Sequence, residues 1–247
     1  WTQAPGHGNA IITAGYYGSS NFYDNNGQRR AQAAYRKYEL NPYIEYGLYD
    51  GVSVVANLFL QQARQDIASG GTRQNQGIGE SEFSVRMRVW EGSGFVVSAE
   101  PMVKLPPPDD SAFPPLGSPN PDIGLTGAVG YGMTAFGHAH YANIDTQYRY
   151  RMGPQENQVR VNATLGIGVA RDWVVMPQAF FTFRTKDPST AGFTQSAADD
   201  YDVTRLQLSG VYRLSDTLKL QAGAFSYVDG VNAGAGNGVS FSVWKHF

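Results

Sequence analysis

Apolar and polar side chains alternate with a period of two residues in segment after segment of this chain. In the clearest segment, 158–169, apolar residues take every odd position while Arg160, Asn162 and Thr164 stand between them. Such alternation is typical of β-strands with one apolar face. Twelve segments of this kind, separated by turn or loop signals, predict an all-β protein: 9–19, 35–48, 52–65, 80–90, 95–105, 123–131, 138–151, 158–169, 173–186, 201–214, 217–228 and 239–247.

The composition agrees with a chain of strands and turns. Charged residues make up only 16% of the 247 residues, aromatic residues make up 13%, and there are 29 glycines. No apolar stretch approaches the roughly 18 residues that a transmembrane helix needs, and the mean hydropathy is -0.34. A transmembrane barrel is compatible with this value, because its strands alternate apolar and polar residues.

Several kinds of chemistry are excluded or disfavoured by composition alone. The chain has no cysteine, which excludes disulfides, thiolate nucleophiles and cysteine zinc sites. A formal net charge of -2 gives no reason to expect nucleic acid as a partner. No basic and apolar leader precedes Trp1, so we expect this sequence to be the mature chain if the protein is exported.

The connections between the predicted strands alternate in length. Tight turns are predicted near positions 50, 92, 133, 171 and 214, with longer polar connections between most of them; 152–157 is a short exception. Strands of about ten to thirteen residues, rising about 3.3 Å per residue and tilted near 45°, would span a bilayer core of ~25 Å. These features predict a closed antiparallel transmembrane β-barrel with short periplasmic turns and long extracellular loops.

The final segment carries the sharpest local motif. Val239, Phe241 and Val243 alternate with serines, and the sequence ends at Phe247. This pattern resembles the C-terminal signature of bacterial outer-membrane β-barrel proteins. The resemblance implies that the barrel, of about 12 strands by the count above, lies in the bacterial outer membrane, surrounded by lipids and lipopolysaccharide, and that its last strand binds the barrel-assembly machinery. We expect a monomer with one domain, 1–247, in which residues 1–8 form a periplasmic N-terminal lead.

Two shorter stretches carry a second resemblance. Glu45-Tyr46-Gly47-Leu48 and the sequence QYRYR at 147–151 are similar to small porin-like proteins of proteobacteria, some of them associated with exopolysaccharide synthesis. This resemblance implies export or passage of a saccharide.

The alternation also assigns each strand residue to a face. If the strands close into a barrel, the apolar positions must face lipid, since open edges do not survive in hydrocarbon. A slip of one residue would turn the charged positions towards lipid, at about 2–4 kcal/mol for each midplane cation. The predicted pore-lining charges are Lys37, Glu39, Glu45, Arg86, Arg88, Glu100, Lys104, Asp145, Arg149, Arg151, Arg160, Arg184, Arg205, Arg213 and Lys219.

Glu82 shares the inward face with these residues. The set then holds eleven bases and five acids, an excess of six positive charges, while Asp200 and several other acids are assigned to loops. Such a lumen favours anionic or polyhydroxylated solutes. The alternative is that the acids and bases pair with each other and fill a narrow interior.

Aromatic residues concentrate near the predicted strand ends, which predicts two interfacial girdles. One girdle lies by the short turns and comprises Tyr49, Phe95, Tyr131, Phe136, Trp173 and Phe247. The other lies towards the loops and comprises Tyr17, Tyr38, Tyr148, Tyr150, Phe181, Phe183 and Tyr227. Between the strands, 106–122 holds seven of the 13 prolines, which excludes ladder pairing. We favour an inward constriction for this segment over an external flap.

No catalytic or metal site is predicted. The four histidines, His7, His138, His140 and His246, all fall at the end with the short turns, so the loop rim has no imidazole base. His138 and His140 have the spacing of two metal ligands on one strand face, but that face is the apolar one. Glu39 and Glu45 are six residues apart, roughly 20 Å along a strand, which is too far for paired-acid catalysis. We expect no cofactor.

These observations favour an outer-membrane channel that passes small hydrophilic, anionic or saccharide solutes through a narrow basic lumen. A closed barrel that acts in adhesion or partner docking is the alternative, and an outer-membrane enzyme is disfavoured because no base is placed at the rim.

Overall fold

The structure, a computed structural model, describes residues 1–67, 69–108, 112–185 and 200–247. Strands are the only regular elements in these residues, and they form one antiparallel sheet. Their bounds are β1 Gly8–Tyr23, β2 Arg29–Tyr49, β3 Val52–Asn57, β4 Leu60–Asp66, β5 Thr72–Ile78, β6 Ser81–Gly92, β7 Phe95–Leu105, β8 Asp122–Ala135, β9 His138–Arg151, β10 Gln158–Ala170, β11 Trp173–Arg184, β12 Asp202–Ser215, β13 Leu218–Val231, β14 Ala233–Gly234 and β15 Asn237–His246.

The sheet closes on itself because β1 pairs with β2 along one edge and with β15 along the other. One predicted strand, 52–65, is interrupted: β3 and β4 together form the third strand of the barrel wall. β5, in a region predicted as loop, and β6 together form the fourth. With the two-residue β14 extending the line of β15, the barrel wall has twelve strands. The predicted fold class is therefore confirmed.

Five two-residue turns define one end of the barrel, which we call the turn end. They join β2 to β3, β6 to β7, β8 to β9, β10 to β11 and β12 to β13. Ser93, Gly94, Phe136 and Gly137 have positive φ angles, as the tight primed turns of hairpins require. All five turns lie at or within a few residues of the predicted positions.

The opposite end, which we call the loop end, differs from the prediction at two connections. Residues 29–34 and 72–78 were expected to be loop, but 29–34 extend β2 and 72–78 form β5. Residues 72–78 are mostly polar on both faces, and 29–34 place Arg, Gln and small Ala side chains on both faces, so the period-two signal is missing although the ladder continues. The predicted loop at 187–199 lies outside the described residues.

The barrel is inverted relative to an ordinary globular core. Large apolar side chains point outwards and are about half exposed, among them Leu165 at 49% and Leu208 at 60%. The most deeply buried side chains are polar or charged and face inwards, notably Lys104, Asp122 and Arg149. The face assignment drawn from the alternation therefore holds for these strands.

No helix in the described part of the chain has the length and apolar character needed to cross a membrane.

Candidate functional site

A cavity of about 1900 Å³ occupies the barrel interior. Its lining begins near the turn end at Thr13 and Tyr141 and reaches Ile67 and Arg73 at the loop end. Amide side chains recur along the wall between these levels: Asn41, Asn57, Asn143, Gln147, Asn162, Gln178, Gln207 and Gln221. The lumen therefore offers many neutral hydrogen-bond donors and acceptors along its axis.

The predicted pore-lining residues fall into three groups. Those that line the cavity are Lys37, Glu39, Asp145, Arg149, Arg160 and Arg205. Those held in ion pairs beside or behind the cavity wall are Glu45, Arg86, Glu100, Lys104, Arg151 and Arg184. Those near the turn end are Arg88, Arg213 and Lys219, of which Arg88 and Arg213 pair with acids of the turns, Asp50, Glu91 and Asp172.

A row of alternating charges crosses four neighbouring strands. The register places Glu82 opposite Lys104, Lys104 opposite Asp122, and Asp122 opposite Arg151. Arg149 joins the row through Glu82, with Nη2 to Oε1 at 2.7 Å. We call this set, with Glu80 and Asp200, the charge network.

Three acids of the charge network, Glu80, Asp122 and Asp200, were not among the five inward acids predicted from the sequence. Lys104 Nζ lies 3.0 Å from Glu80 Oε1 and 3.2 Å from Asp122 Oδ2. Arg151 Nη1 lies 3.7 Å from Asp200 Oδ1, although Asp200 was assigned to a loop. Elsewhere Arg184 pairs with Asp202 at 2.9 Å. These carboxylates reduce the positive excess that the sequence predicted for the lumen.

The segment 106–121, described at 106–108 and 112–121, turns into the barrel against the charge network. Ser118 N donates to Glu80 Oε1 at 2.7 Å, and Asn75 Nδ2 donates to Pro114 O at 3.0 Å. Leu116 is 6% exposed, and Phe113 lies under the guanidinium of Arg73. We call this segment the inward loop. Its course agrees with the constriction that was favoured over an external flap.

Near the turn end, a second cluster of charges lies on β2, β6 and β7. Arg86 Nη1 lies 2.8 Å from Glu45 Oε2, and Arg86 Nε lies 2.6 Å from Glu100 Oε2. Tyr43 donates to Glu45 Oε2 at 3.0 Å, and Ser84 donates to Glu100 Oε1 at 2.6 Å. The one guanidinium therefore serves two carboxylates.

Residues 1–7, the N-terminal segment, lie inside the turn end. Gly6 N donates to Gly47 O at 3.0 Å, and Gln3 N donates to the fully buried Ser53 Oγ at 2.8 Å. The Trp1 ring meets Tyr141 edge to face at a centroid distance of 6.3 Å. A side chain at Gly47 would meet Ala4 O at 2.2 Å, so glycine is needed for this close approach.

An aromatic wall faces the cavity across β1, β2, β11 and β13. It comprises Tyr17, Tyr35, Phe180, Phe225 and Tyr227. The expectation that Tyr17 and Tyr227 belong to an outer girdle is wrong, because both line the interior. Their parity was the available signal: Tyr17 alternates with the outward Tyr16, and Tyr227 shares the odd positions of Lys219 and Gln221.

The polar side chains of the lumen form hydrogen bonds and ion pairs with each other. Asp145 accepts from Asn162 Nδ2 at 2.7 Å and from Asn143 Nδ2 at 3.4 Å. Within 1–67, 69–108, 112–185 and 200–247, no three His, Asp or Glu side chains are grouped to hold a metal ion. His140 Nε2 lies 3.0 Å from Ala135 O at the turn end.

By sequence, the chain matches no protein-family model and no curated protein. Its fold matches solved structures. The COG4313 outer membrane channel from Pseudomonas putida F1 superposes with a TM-score of 0.75 at 12% identity, over 100% of this chain and 97% of that one. The NanC porin superposes with a TM-score of 0.59 at 11% identity, over 95% of this chain and 98% of the porin. The translocator domain of autotransporter NalP from Neisseria meningitidis gives 0.50 at 9% identity, over 99% and 89%. At these identities the likeness shows the barrel fold alone.

Proposed function

We propose that this protein is a channel of the bacterial outer membrane that passes small hydrophilic solutes. The observation that carries the proposal is the combination, in one closed barrel, of an apolar exterior with an interior cavity of about 1900 Å³ that charged, amide and aromatic side chains line. An exterior of half-exposed Leu, Ile, Val and Phe is stable in lipid, whereas a polar cavity provides a wet path.

The lining suggests the class of solute. Amide groups along the cavity can both donate hydrogen bonds to hydroxyls and accept hydrogen bonds from them, which favours saccharides. The inward cations add a preference for anions, reduced by the acids of the charge network. We therefore propose saccharide or anionic solutes. A link to exopolysaccharide export belongs to the same proposal and is supported by the sequence resemblance at 45–48 and 147–151.

The same proposal gives the exterior its partners. The apolar band would contact membrane lipids and lipopolysaccharide, and β15 would be the strand that the barrel-assembly machinery binds. One chain closes the barrel, so a monomer suffices for transport. Nothing in this role requires an enzyme, a cofactor or nucleic acid.

A closed barrel with a structural or docking role is the second candidate. The observation that favours it is the placement of the N-terminal segment at the turn end and of the inward loop at the loop end. If both stay in place, they obstruct the two mouths of the cavity. Surface loops would then carry the function.

Planar-bilayer recording separates the two candidates. The purified full chain should give discrete current steps, and reversal potentials in a salt gradient should show weak anion preference. No current above that of a protein-free bilayer would contradict the channel and support the closed barrel. Strong cation preference would contradict the proposed solute class while leaving the channel intact.

A further inference from the structure

Arg205 differs from the cations of the charge network in having no carboxylate partner within the described residues. Its Nε atom is buried and has no hydrogen-bond partner among them. Arg160 also forms no ion pair there, but it donates to Gln158 Oε1 at 3.1 Å and lies within electrostatic range of Glu80, Glu82 and Asp122. Arg73 also lines the cavity without an ion pair among the described residues, but it is exposed at the loop end, where water solvates its charge. Arg205 is therefore the half-buried cavity-lining cation whose charge is least compensated.

Aromatic rings hold the guanidinium of Arg205 in place. The register puts Phe180 directly opposite on β11 and Tyr227 opposite on β13. The guanidinium carbon lies 3.9 Å from the centroid of the Phe180 ring and 5.3 Å from that of Phe225. A cation–π contact does not occupy an ordinary hydrogen-bond acceptor, so the guanidinium of Arg205 still has N–H groups without an acceptor among the described residues.

The fork of a guanidinium matches a carboxylate, which it binds through two parallel hydrogen bonds. A half-buried cation without such a partner destabilises the folded protein. Its presence therefore indicates that an anion binds there reversibly. A single unpaired guanidinium matches a single negative charge. The ligand class is therefore a monocarboxylate.

The surroundings of Arg205 supply surfaces for a ring and for hydroxyls. Phe225 stacks on Tyr17 at 6.4 Å, and Tyr17 meets Tyr227 at 5.2 Å. The Phe225 ring can take this position because it lies over Gly238, where a Cβ would meet the ring at 2.1 Å. The aromatic wall thus continues from Arg205 as a flat apolar face.

Amide groups border the same patch. Gln207 and Gln178 are cross-strand partners, each two residues, about 7 Å, along its strand from Arg205 and Phe180 respectively. Gln178 Oε1 is buried and has no hydrogen-bond partner among the described residues. It is an acceptor suited to a hydroxyl group, which favours a sugar over a simple aromatic acid.

We propose that Arg205, with Phe180, Phe225, Tyr17 and Gln178, forms a binding site for a sugar ring that bears one carboxylate. The guanidinium edge binds the carboxylate, the aromatic wall packs on the ring, and the amides bind its hydroxyls. The site rests on the proposed channel function for its role, since it would be a station in the solute path. Its binding is measurable without any current.

Titration calorimetry on the detergent-solubilised full chain tests the site with two probes, D-glucuronate and D-glucose, which differ in the carboxylate. We expect glucuronate to bind about tenfold or more tightly than glucose, as one charge-assisted pair implies. Equal affinity, or binding of neither probe, would overturn the site.

Substitutions locate the binding. Arg205→Gln should weaken glucuronate binding by about tenfold or more and leave glucose binding nearly unchanged. Arg205→Lys keeps the charge but loses the fork, and should give an intermediate loss. Arg171→Gln, the same exchange at an exposed turn residue, is the control and should bind as the unsubstituted chain does. Glucuronate binding that survives both Arg205 substitutions would overturn the assignment.

The two proposals fail in different ways. Glucuronate binding without bilayer current would contradict the channel and leave the site standing. Current without any preference for glucuronate over glucose would contradict the site and leave the channel standing.

Discussion

Two sides of the lumen handle charge differently. On β6 to β9, the charge network joins Glu82, Lys104, Asp122 and Arg149 into mutual ion pairs, and the last three of these side chains are almost fully buried. On β11 to β13, Arg205 has aromatic neighbours and no carboxylate partner within the described residues. Paired charges neutralise each other within the protein, whereas an unpaired charge can attract a solute of opposite charge.

The comparison separates structural charges from functional ones. The charge network also holds the inward loop through Glu80, so its role extends to the shape of the lumen. We infer that substitutions in the charge network act mainly on stability and shape, and that those at Arg205 act mainly on solute binding.

The largest effect is expected for Arg149→Met. Its loss leaves the carboxylate of Glu82 inside the barrel without its 2.7 Å partner, at a cost of about 3–5 kcal/mol. Arg205→Met leaves no carboxylate without a partner, so the free energy of unfolding should fall by only about 1 kcal/mol, the value of the lost cation–π contact. Urea unfolding in lipid vesicles measures both. Equal losses would break the distinction between the two sides.

The next prediction tests the exterior that both sides share. Leu165 points outwards on β10, and its neighbour Thr164 lines the cavity. Leu165→Arg should cost about 2–4 kcal/mol if the exterior faces lipid, and it should lower the yield of folded barrel. Thr164→Arg, the matched control, should assemble nearly normally. Heat-modifiable mobility on gels measures assembly, and equal tolerance would contradict the face assignment.

A third prediction concerns the N-terminal segment. Gly47→Val places a side chain where Ala4 O lies 2.2 Å from the position of Cβ, and backbone cannot move aside as a side chain can. Overpacking of this kind costs about 1–3 kcal/mol, enough to displace a segment held by few hydrogen bonds. Single-channel conductance should rise.

Gly15→Ala is the control for that substitution. Gly15 lines the cavity, and a Cβ there would meet its nearest atom, Val239 O, at 3.9 Å. Its conductance should match that of the unsubstituted chain. A conductance that stays constant in Gly47→Val would show that the N-terminal segment does not restrict the path.

The smallest effect is expected for Glu80→Gln. The amide keeps an acceptor for Ser118 N but weakens the contact with Lys104, at a cost of about 1 kcal/mol. Limited proteolysis within 106–121 should become faster. Glu39→Gln is the control, since Glu39 also pairs with one lysine at 3.0 Å and forms no hydrogen bond with the described residues of the inward loop. Equal proteolysis of both variants would show that Glu80 does not anchor the loop.

Much of the barrel could be predicted residue by residue. Alternation placed Leu165 outside and Arg149 inside, because a strand turns successive side chains to opposite faces whatever its neighbours are. Glycine and polar pairs marked the two-residue turns. Alternation did not predict β5, which is mostly polar on both faces, or the start of β2, where Arg, Gln and small Ala side chains lie on both faces.

The site was less predictable. Tyr17 and Tyr227 were predicted to belong to an outer girdle because they lie near strand ends, whereas their parity places both inside the barrel. The pairing of Lys104 with Asp122 needed the register of β7 on β8, and no single strand carries that information. The course of the inward loop likewise depends on contacts with Asn75 and Glu80, which are distant in sequence.

The amino-acid sequence alone therefore determined which side chains face outwards, where the chain reverses, and that a closed barrel is needed to satisfy the strand edges. These properties are local, or follow from a sum over local ones. Only the tertiary structure decided which charges neutralise each other and left Arg205 among aromatic rings. Those outcomes depend on the offset between neighbouring strands and on how the barrel closes, which bring together residues far apart in the chain.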